Sequence, residues 1–215
     1  LDIKIKQREV EQLKGTIICY GDSNTYGYDP GSCMEGRYPR EIRWTGILEE
    51  QSGWKIKNHG INGRCIPHDP SQLGFAVRQV EQWKKETAPV RLWIMLGTND
   101  LLMNPGFTAE DTAARMKIFL KKLQQEAGIK KENMRLRLIA PPPVEYGAWV
   151  NEERLYQQSR RLEEEYRKTA EELGTEFTGT GDWEIPLVFD GVHFSEKGHR
   201  KFVEKLLEEI IWQKE

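Results

Sequence analysis

Apolar positions in this chain recur with two different spacings. Short stretches of strand character over 16–20, 54–57, 90–96, 134–140 and 175–178, the third a nearly continuous apolar run, predict five strands. Between them the apolar residues return at helical spacing. Ile42, Trp44, Ile47 and Leu48 mark a helix over 41–51 that stops at Gly53. Phe75, Val77, Val80 and Trp83 are the expected core face of a helix over 74–86, with Pro89 marking its end. Thr108 is a good N-cap for a helix running to about residue 127. A charged helix over 151–173 stops at Gly174. The last helix is capped by Ser195 and places Phe202, Val203, Leu206, Leu207, Ile210 and Ile211 on one face.

Two stretches break this rhythm. Residues 3–14, with Ile3, Ile5, Val10 and Leu13 among charges, predict a short amphipathic helix or arm ahead of Gly15. Residues 24–40 carry Gly27, Pro30, Gly31, Gly36 and Pro39 and read as a loop. Elsewhere strands and helices alternate. That order predicts an α/β fold, a parallel sheet with helices on both faces. No internal repeat, low-complexity segment or linker divides the chain, so residues 1–215 are expected to form one domain, with 1–14 as its N-terminal arm.

Composition narrows the function. Hydrophobic residues make up 38% and charged residues 31%, ordinary for a soluble protein with helical surfaces. The net charge of -2 gives no electrostatic reason to expect nucleic acid or an acidic membrane as partner. No apolar run approaches the roughly 18 residues of a membrane span. Cys19, Cys33 and Cys65 show no Cys-x-x-Cys spacing and are expected as free thiols in a reducing, cytoplasmic compartment, with one disulfide as the alternative. No signal peptide is visible, but the chain begins at Leu1, so a removed leader and secretion stay open.

Parallel strands bring their carboxyl ends to one rim, where ligands bind. That rim is predicted to carry Ser23, then Asn62 and Gly63, then Asn99, then Pro141 to Pro143. The loop before the last helix adds Asp190 and His193. A serine at a strand end is either a turn residue or a nucleophile, and as a nucleophile it needs a base. His193 is the candidate base, and Asp190, three residues earlier, can orient its imidazole. The backbone N–H groups of Ser23 and Gly63 and the Asn99 amide are suitable donors for a developing oxyanion. Each motif alone is weak, since Gly-Asp-Ser abounds in turns; the conjunction of four at predicted loops carries the reading.

Other polar residues receive blander expectations. Asp22 and Asp100 are read as loop supports, His59 and His68 as loop residues, and His199 as a surface residue. Glu163, Glu164 and Glu165 are read as a solvated helix face and Cys65 as a packed thiol. Tyr26, Tyr28, Tyr38, Trp149 and Trp183 either line a pocket or pack. The four histidines lack metal-ligand spacing, so no metal or other cofactor is expected.

Gly21-Asp22-Ser23, Gly60-Ile61-Asn62-Gly63, Gly97-Thr98-Asn99-Asp100 and Asp190-Gly191-Val192-His193 resemble, in order, the blocks of the SGNH (GDSL-type) hydrolases. The resemblance runs from about residue 16 to 210. It implies a flavodoxin-like three-layer α/β/α sandwich on a mainly parallel five-stranded sheet, and a metal-free serine esterase mechanism. Carried over, Ser23 is the nucleophile, Asp190 and His193 complete the triad, and Ser23, Gly63 and Asn99 form the oxyanion hole. Gly63 is preferred over Gly60 because it takes the later glycine of the family's Gly-x-x-Gly pattern. Asn24 stands where the family often has leucine, and Asn24, Tyr28 and Arg64 are read as substrate contacts, with pairing to a carboxylate as the alternative for Arg64.

The stretches 25–30, 43–46, 94–100, 141–143 and 190–194 look closest to the arylesterase/acyltransferase and acetylesterase branch. That likeness implies a small-molecule ester substrate with a short acyl group, an acetylated sugar among the candidates, and acyl transfer as a side activity. Some members are oligomeric, which leaves a homo-oligomer open. The alternatives are a lysophospholipase- or thioesterase-type member and a non-catalytic carbohydrate-binding module on the same fold.

Overall fold

A computed structural model describes residues 15–32, 36–86, 90–130 and 134–212. The expected N-terminal arm, Cys33 and Pro89 lie outside the described residues, as does the side chain of Ile211. Strands β1 (Thr16–Gly21), β2 (Lys55–Gly60), β3 (Val90–Met95), β4 (Met134–Ile139) and β5 (Glu176–Thr178) form one sheet. Its order is β2-β1-β3-β4-β5 and every pairing is parallel, the doubly wound arrangement of flavodoxin-like sheets. Gly21 stands opposite both Gly60 and Met95, so β1, β2 and β3 end level and release their loops from one edge.

The helices are α1 (Ser23–Tyr26), α2 (Trp44–Ser52), α3 (Pro70–Glu86), α4 (Thr98–Met103), α5 (Ala109–Gln125), α6 (Glu153–Leu173) and α7 (Glu196–Trp212). Strand side chains alternate between the sheet's faces. Ile18, Tyr20, Leu92, Ile94, Leu136 and Leu138 pack with α3, α5 and α6. Ile17, Cys19, Trp93, Met95 and Ile139 pack with α2 and α7 on the other side. The result is the expected three-layer sandwich, built because the central strands are apolar on both faces.

Local chemistry sets the helix ends. Thr108 and Asp111 form a reciprocal capping box at the start of α5. Gly53 and Gly174 close α2 and α6 in the left-handed conformation. The Ser195 hydroxyl accepts the Gly198 N–H at 3.1 Å and caps α7.

Several expectations need correction. Residues 23–26 and 98–103 are helical where loop or cap was expected, and β2 continues through His59 to Gly60. Helix α3 begins at Pro70, four residues early. Leu73, Ala76, Val77, Val80 and Trp83 then take its inner face, which turns Phe75 outward at 56% exposure. His199 is fully buried rather than at the surface, packed edge-on between Tyr38 and Phe194. Glu163 is not simply solvated: its carboxylate accepts the Thr180 and Gly181 N–H groups and holds the loop after β5.

Candidate active site

The site begins where β1 turns into α1. Asp22 caps that short helix, its carboxylate accepting the Asn24 N–H at 3.0 Å, and Ser23 follows as the first helical residue. The chain here is so crowded that a side chain at position 21 would run into Thr25. Burial lifts the Asp22 carboxyl to about 6, against the pull of the Asn24 N–H and the nearby His193 and Arg64. Asp22 therefore shapes the turn, as expected.

The Ser23 hydroxyl lies 2.9 Å from His193 Nε2, although the two residues are 170 positions apart. His193 Nδ1 lies 2.7 Å from Asp190 Oδ2. The other Asp190 oxygen accepts the N–H groups of Val192 and His193 at 2.8 and 2.9 Å. Burial alone would raise the Asp190 carboxyl. The bonds from the His193 ring and from these backbone donors outweigh it and hold the carboxyl below its ordinary value. Asp190 thus stays a carboxylate facing the imidazole. Gly191, with φ of 80°, makes the tight turn that lets residues three apart meet, and no side chain fits there against the Glu145 carbonyl.

The donor side is assembled by backbone carbonyls. Asn99, at the start of α4, donates from Nδ2 to the Arg64 carbonyl at 3.1 Å, leaving its second N–H for another acceptor. That bond joins the loop after β3 to the loop carrying Gly63. Asp100, fully buried, accepts the Ile66 N–H at 2.9 Å and pairs with Arg115 at 3.0 Å, fixing the same loop from behind. Gly63 adopts φ of 71°, whereas the Gly60 N–H is already committed to Asn58 Oδ1 at 2.9 Å. No acceptor for the Ser23 or Gly63 N–H is found among the described residues. Both remain available to a ligand oxygen. Among the described residues, no group of three or more His, Cys, Asp or Glu side chains could hold a metal ion.

The model of the GDSL-like lipase/acylhydrolase family matches residues 19–201. The chain belongs to that family. It is a carboxylic ester hydrolase by class. Solved relatives agree. The aryl esterase of M. smegmatis shares 25% identity at a TM-score of 0.75, covering 91% of this chain and 97% of that one. A putative arylesterase from Agrobacterium tumefaciens str. C58 shares 29% at 0.74, over 91% and 97%. A carbohydrate acetylesterase family member from Sinorhizobium meliloti shares 26% at 0.74, over 91% and 96%. No curated protein matches the chain.

In this acylhydrolase two expected substrate contacts are engaged elsewhere. Asn24 is buried and spans the loop of the histidine: Nδ2 donates to the Val192 carbonyl at 3.0 Å, and Oδ1 accepts the Phe194 N–H at 2.9 Å. The Arg64 guanidinium donates to the Gly21 carbonyl at 3.0 Å and to the His59 carbonyl, and it lies over the Tyr20 ring. It ties two strand ends together. Tyr28 stands beside the site, its ring 4.7 Å from the His193 ring. The two tryptophans divide: Trp183 is core, whereas Trp149 is 51% exposed with its ring 5.0 Å from that of His193. Cys65 is a free thiol in contact with Met103, and burial raises it to about 11, which disfavours its thiolate.

The structure also adds residues that the sequence reading did not assign. Arg115 is one, visible only as a cation at helical spacing. The role of Asn24 had a signal: an amide replaces an apolar residue immediately after the serine.

Proposed function

We propose that this family member is a serine esterase for short acyl esters, acting through an acyl-enzyme on Ser23. The observation that carries the reading is the unbroken chain from Ser23 Oγ through the His193 imidazole to the Asp190 carboxylate, at 2.9 and 2.7 Å. With Asp190 on Nδ1, the tautomer that donates there leaves Nε2 free to accept the serine proton. The Ser23 oxygen then bonds to the ester carbonyl carbon as the proton moves to His193. The carbonyl oxygen, now an oxyanion, takes the N–H groups of Ser23, Gly63 and Asn99. The C–O bond to the leaving group breaks and His193 returns the proton to the departing alcohol. Water repeats the sequence and frees the acid and Ser23.

The likeness to proteins named aryl esterase and carbohydrate acetylesterase supports a small acyl group. An alcohol acceptor in place of water gives acyl transfer by the same steps. Hydrolysis of p-nitrophenyl acetate by the wild type and by Ser23→Ala tests the reading. Turnover that disappears with the hydroxyl is expected, and equal rates would overturn it. A series of longer nitrophenyl esters tests the acyl preference, with activity expected to fall well before eight carbons.

A further inference from the structure

Among the described residues, the large apolar side chains left exposed include Ile61, Met103, Tyr146, Trp149 and Phe189, all on segments around the candidate site. Trp149 differs from the rest because its ring touches the base. The ring is held. Residues 145–149 are laced to the histidine loop by three backbone bonds: Glu145 N–H to the Gly191 carbonyl, Ala148 N–H to Phe189, and Trp149 N–H to Asp190, at 2.9, 3.1 and 3.0 Å. A side chain at Gly147 would strike the Asp190 carbonyl, so the two segments meet backbone to backbone. Packing does not need this tryptophan, since half of its surface faces solvent. An exposed indole on a backbone fixed against the histidine loop, with its ring against the base, is placed to meet a ligand.

The chemistry says which part of the ligand. In acylation the base returns its proton to the oxygen of the departing alcohol, so that oxygen lies within reach of His193 Nε2. The carbon body attached to it must pass the imidazole. There it meets Trp149 on one side, at a ring angle of 82°, with Tyr28 also against the imidazole at 61°. We infer that Trp149 is a specificity-determining residue for the leaving group, a platform selecting alcohols that present a flat, apolar ring face. This rests on the esterase reading above and extends it from the acyl side to the alcohol side. The exposed apolar side chains of Ile61, Met103 and Phe189, on segments that flank the site, favour an aryl alcohol over a sugar.

The test compares phenyl acetate with ethyl acetate. Both give the same acetyl-enzyme, so their difference resides in acylation. In Trp149→Ala, the ratio of kcat/KM for phenyl over ethyl acetate should fall roughly 3- to 10-fold, the range expected from losing one aromatic contact. Trp149→Phe should keep the ratio within about twofold, and because the acetyl-enzyme is shared, any effect on deacylation cancels from the ratio. A tryptophan that merely steadies His193 would slow both esters equally, and such an unchanged ratio in an active enzyme would overturn the leaving-group role alone. Absence of Ser23-dependent hydrolysis of either ester by the wild type would overturn the esterase reading and this inference with it. An acetylated methyl glucoside as third substrate separates ring types: a loss on Trp149→Ala as large as that for phenyl acetate would overturn the preference for aryl alcohols.

Discussion

Asn24 holds His193 from both sides. Its amide donates to the Val192 carbonyl and accepts from the Phe194 N–H, the two peptide groups flanking the imidazole, at 3.0 and 2.9 Å. Because Asn24 directly follows Ser23, one side chain couples the helix of the serine to the loop of the histidine. Its own carbonyl is held in turn by the Trp44 indole at 3.0 Å. The Ser23–His193 separation is therefore set by a covalent neighbour of each partner.

Asn24→Leu keeps the branched four-heavy-atom side chain and removes both bonds, leaving a buried carbonyl and a buried N–H unpaired. Each orphan costs about 1–3 kcal/mol, so denaturant unfolding should show a loss of about 2–6 kcal/mol. Turnover should drop further than stability explains, since a misplacement of about 1 Å can cost 10²-fold. The expected pattern is a kcat for p-nitrophenyl acetate lowered about 10- to 100-fold with KM little changed. A folded variant with wild-type kcat would show that the clamp serves the fold and not the dyad.

Asp190→Asn isolates the orienting role. The amide oxygen can keep the Val192 and His193 N–H bonds, which turns the new NH₂ toward His193 Nδ1. That nitrogen must then accept, so the ring proton moves to Nε2 and faces the Ser23 hydroxyl in the wrong sense. Thermal stability should change little while kcat falls by about 10⁴. A loss under tenfold in steady-state turnover would remove Asp190 from the proposed triad.

Asn99→Ala takes away one proposed oxyanion donor and also the bond to the Arg64 carbonyl. Loss of such a donor lowers kcat by about 10²–10³ with little effect on KM. If Asn99 neither donated to the oxyanion nor placed the Gly63 N–H, kcat would hold. Steady-state kinetics with p-nitrophenyl acetate distinguishes the two patterns.

The sheet was legible from the sequence because β1 and β3 are nearly continuous apolar runs, and such runs suit strands buried on both faces. The helix stops were legible because Gly53 and Gly174 leave few other ways to close a helix. Short helices at Ser23 and Thr98 were not, since four to six residues carry no periodicity and depend on caps set by tertiary contacts. At the site, Ser23, Asp190 and His193 were found because residue type and order constrain them together. The backbone bonds of Asn24 and Arg64 were not legible for one reason: polar side chains near a serine look the same in sequence whether they face substrate or backbone. Only the distances to Val192, Phe194, Gly21 and His59 separate the cases.

His199 makes stability depend on pH, and its burial gives the sign. Its Nδ1 accepts the Trp44 N–H at 3.3 Å, while Nε2 has no partner among the described residues. Burial first, and the nearby Arg43 second, push the imidazole down to about 3. A group depressed in the folded state contributes stability that is present above its unfolded value, near 6.5, and lost as pH falls from there toward 3. Between pH 7 and pH 5 the unfolded chain gains a proton that the native state refuses, a loss of about 2 kcal/mol. Asp22, raised to about 6, works in the opposite direction, since protonation favours its buried form. Comparing wild type with His199→Gln cancels Asp22, which both proteins share. Urea unfolding at the two pH values should show the variant less stable at pH 7, from lost packing against Tyr38 and Phe194, yet losing about 2 kcal/mol less than the wild type on acidification. Equal losses in both proteins would mean that the imidazole is protonated in place, and that the buried pocket admits the charge.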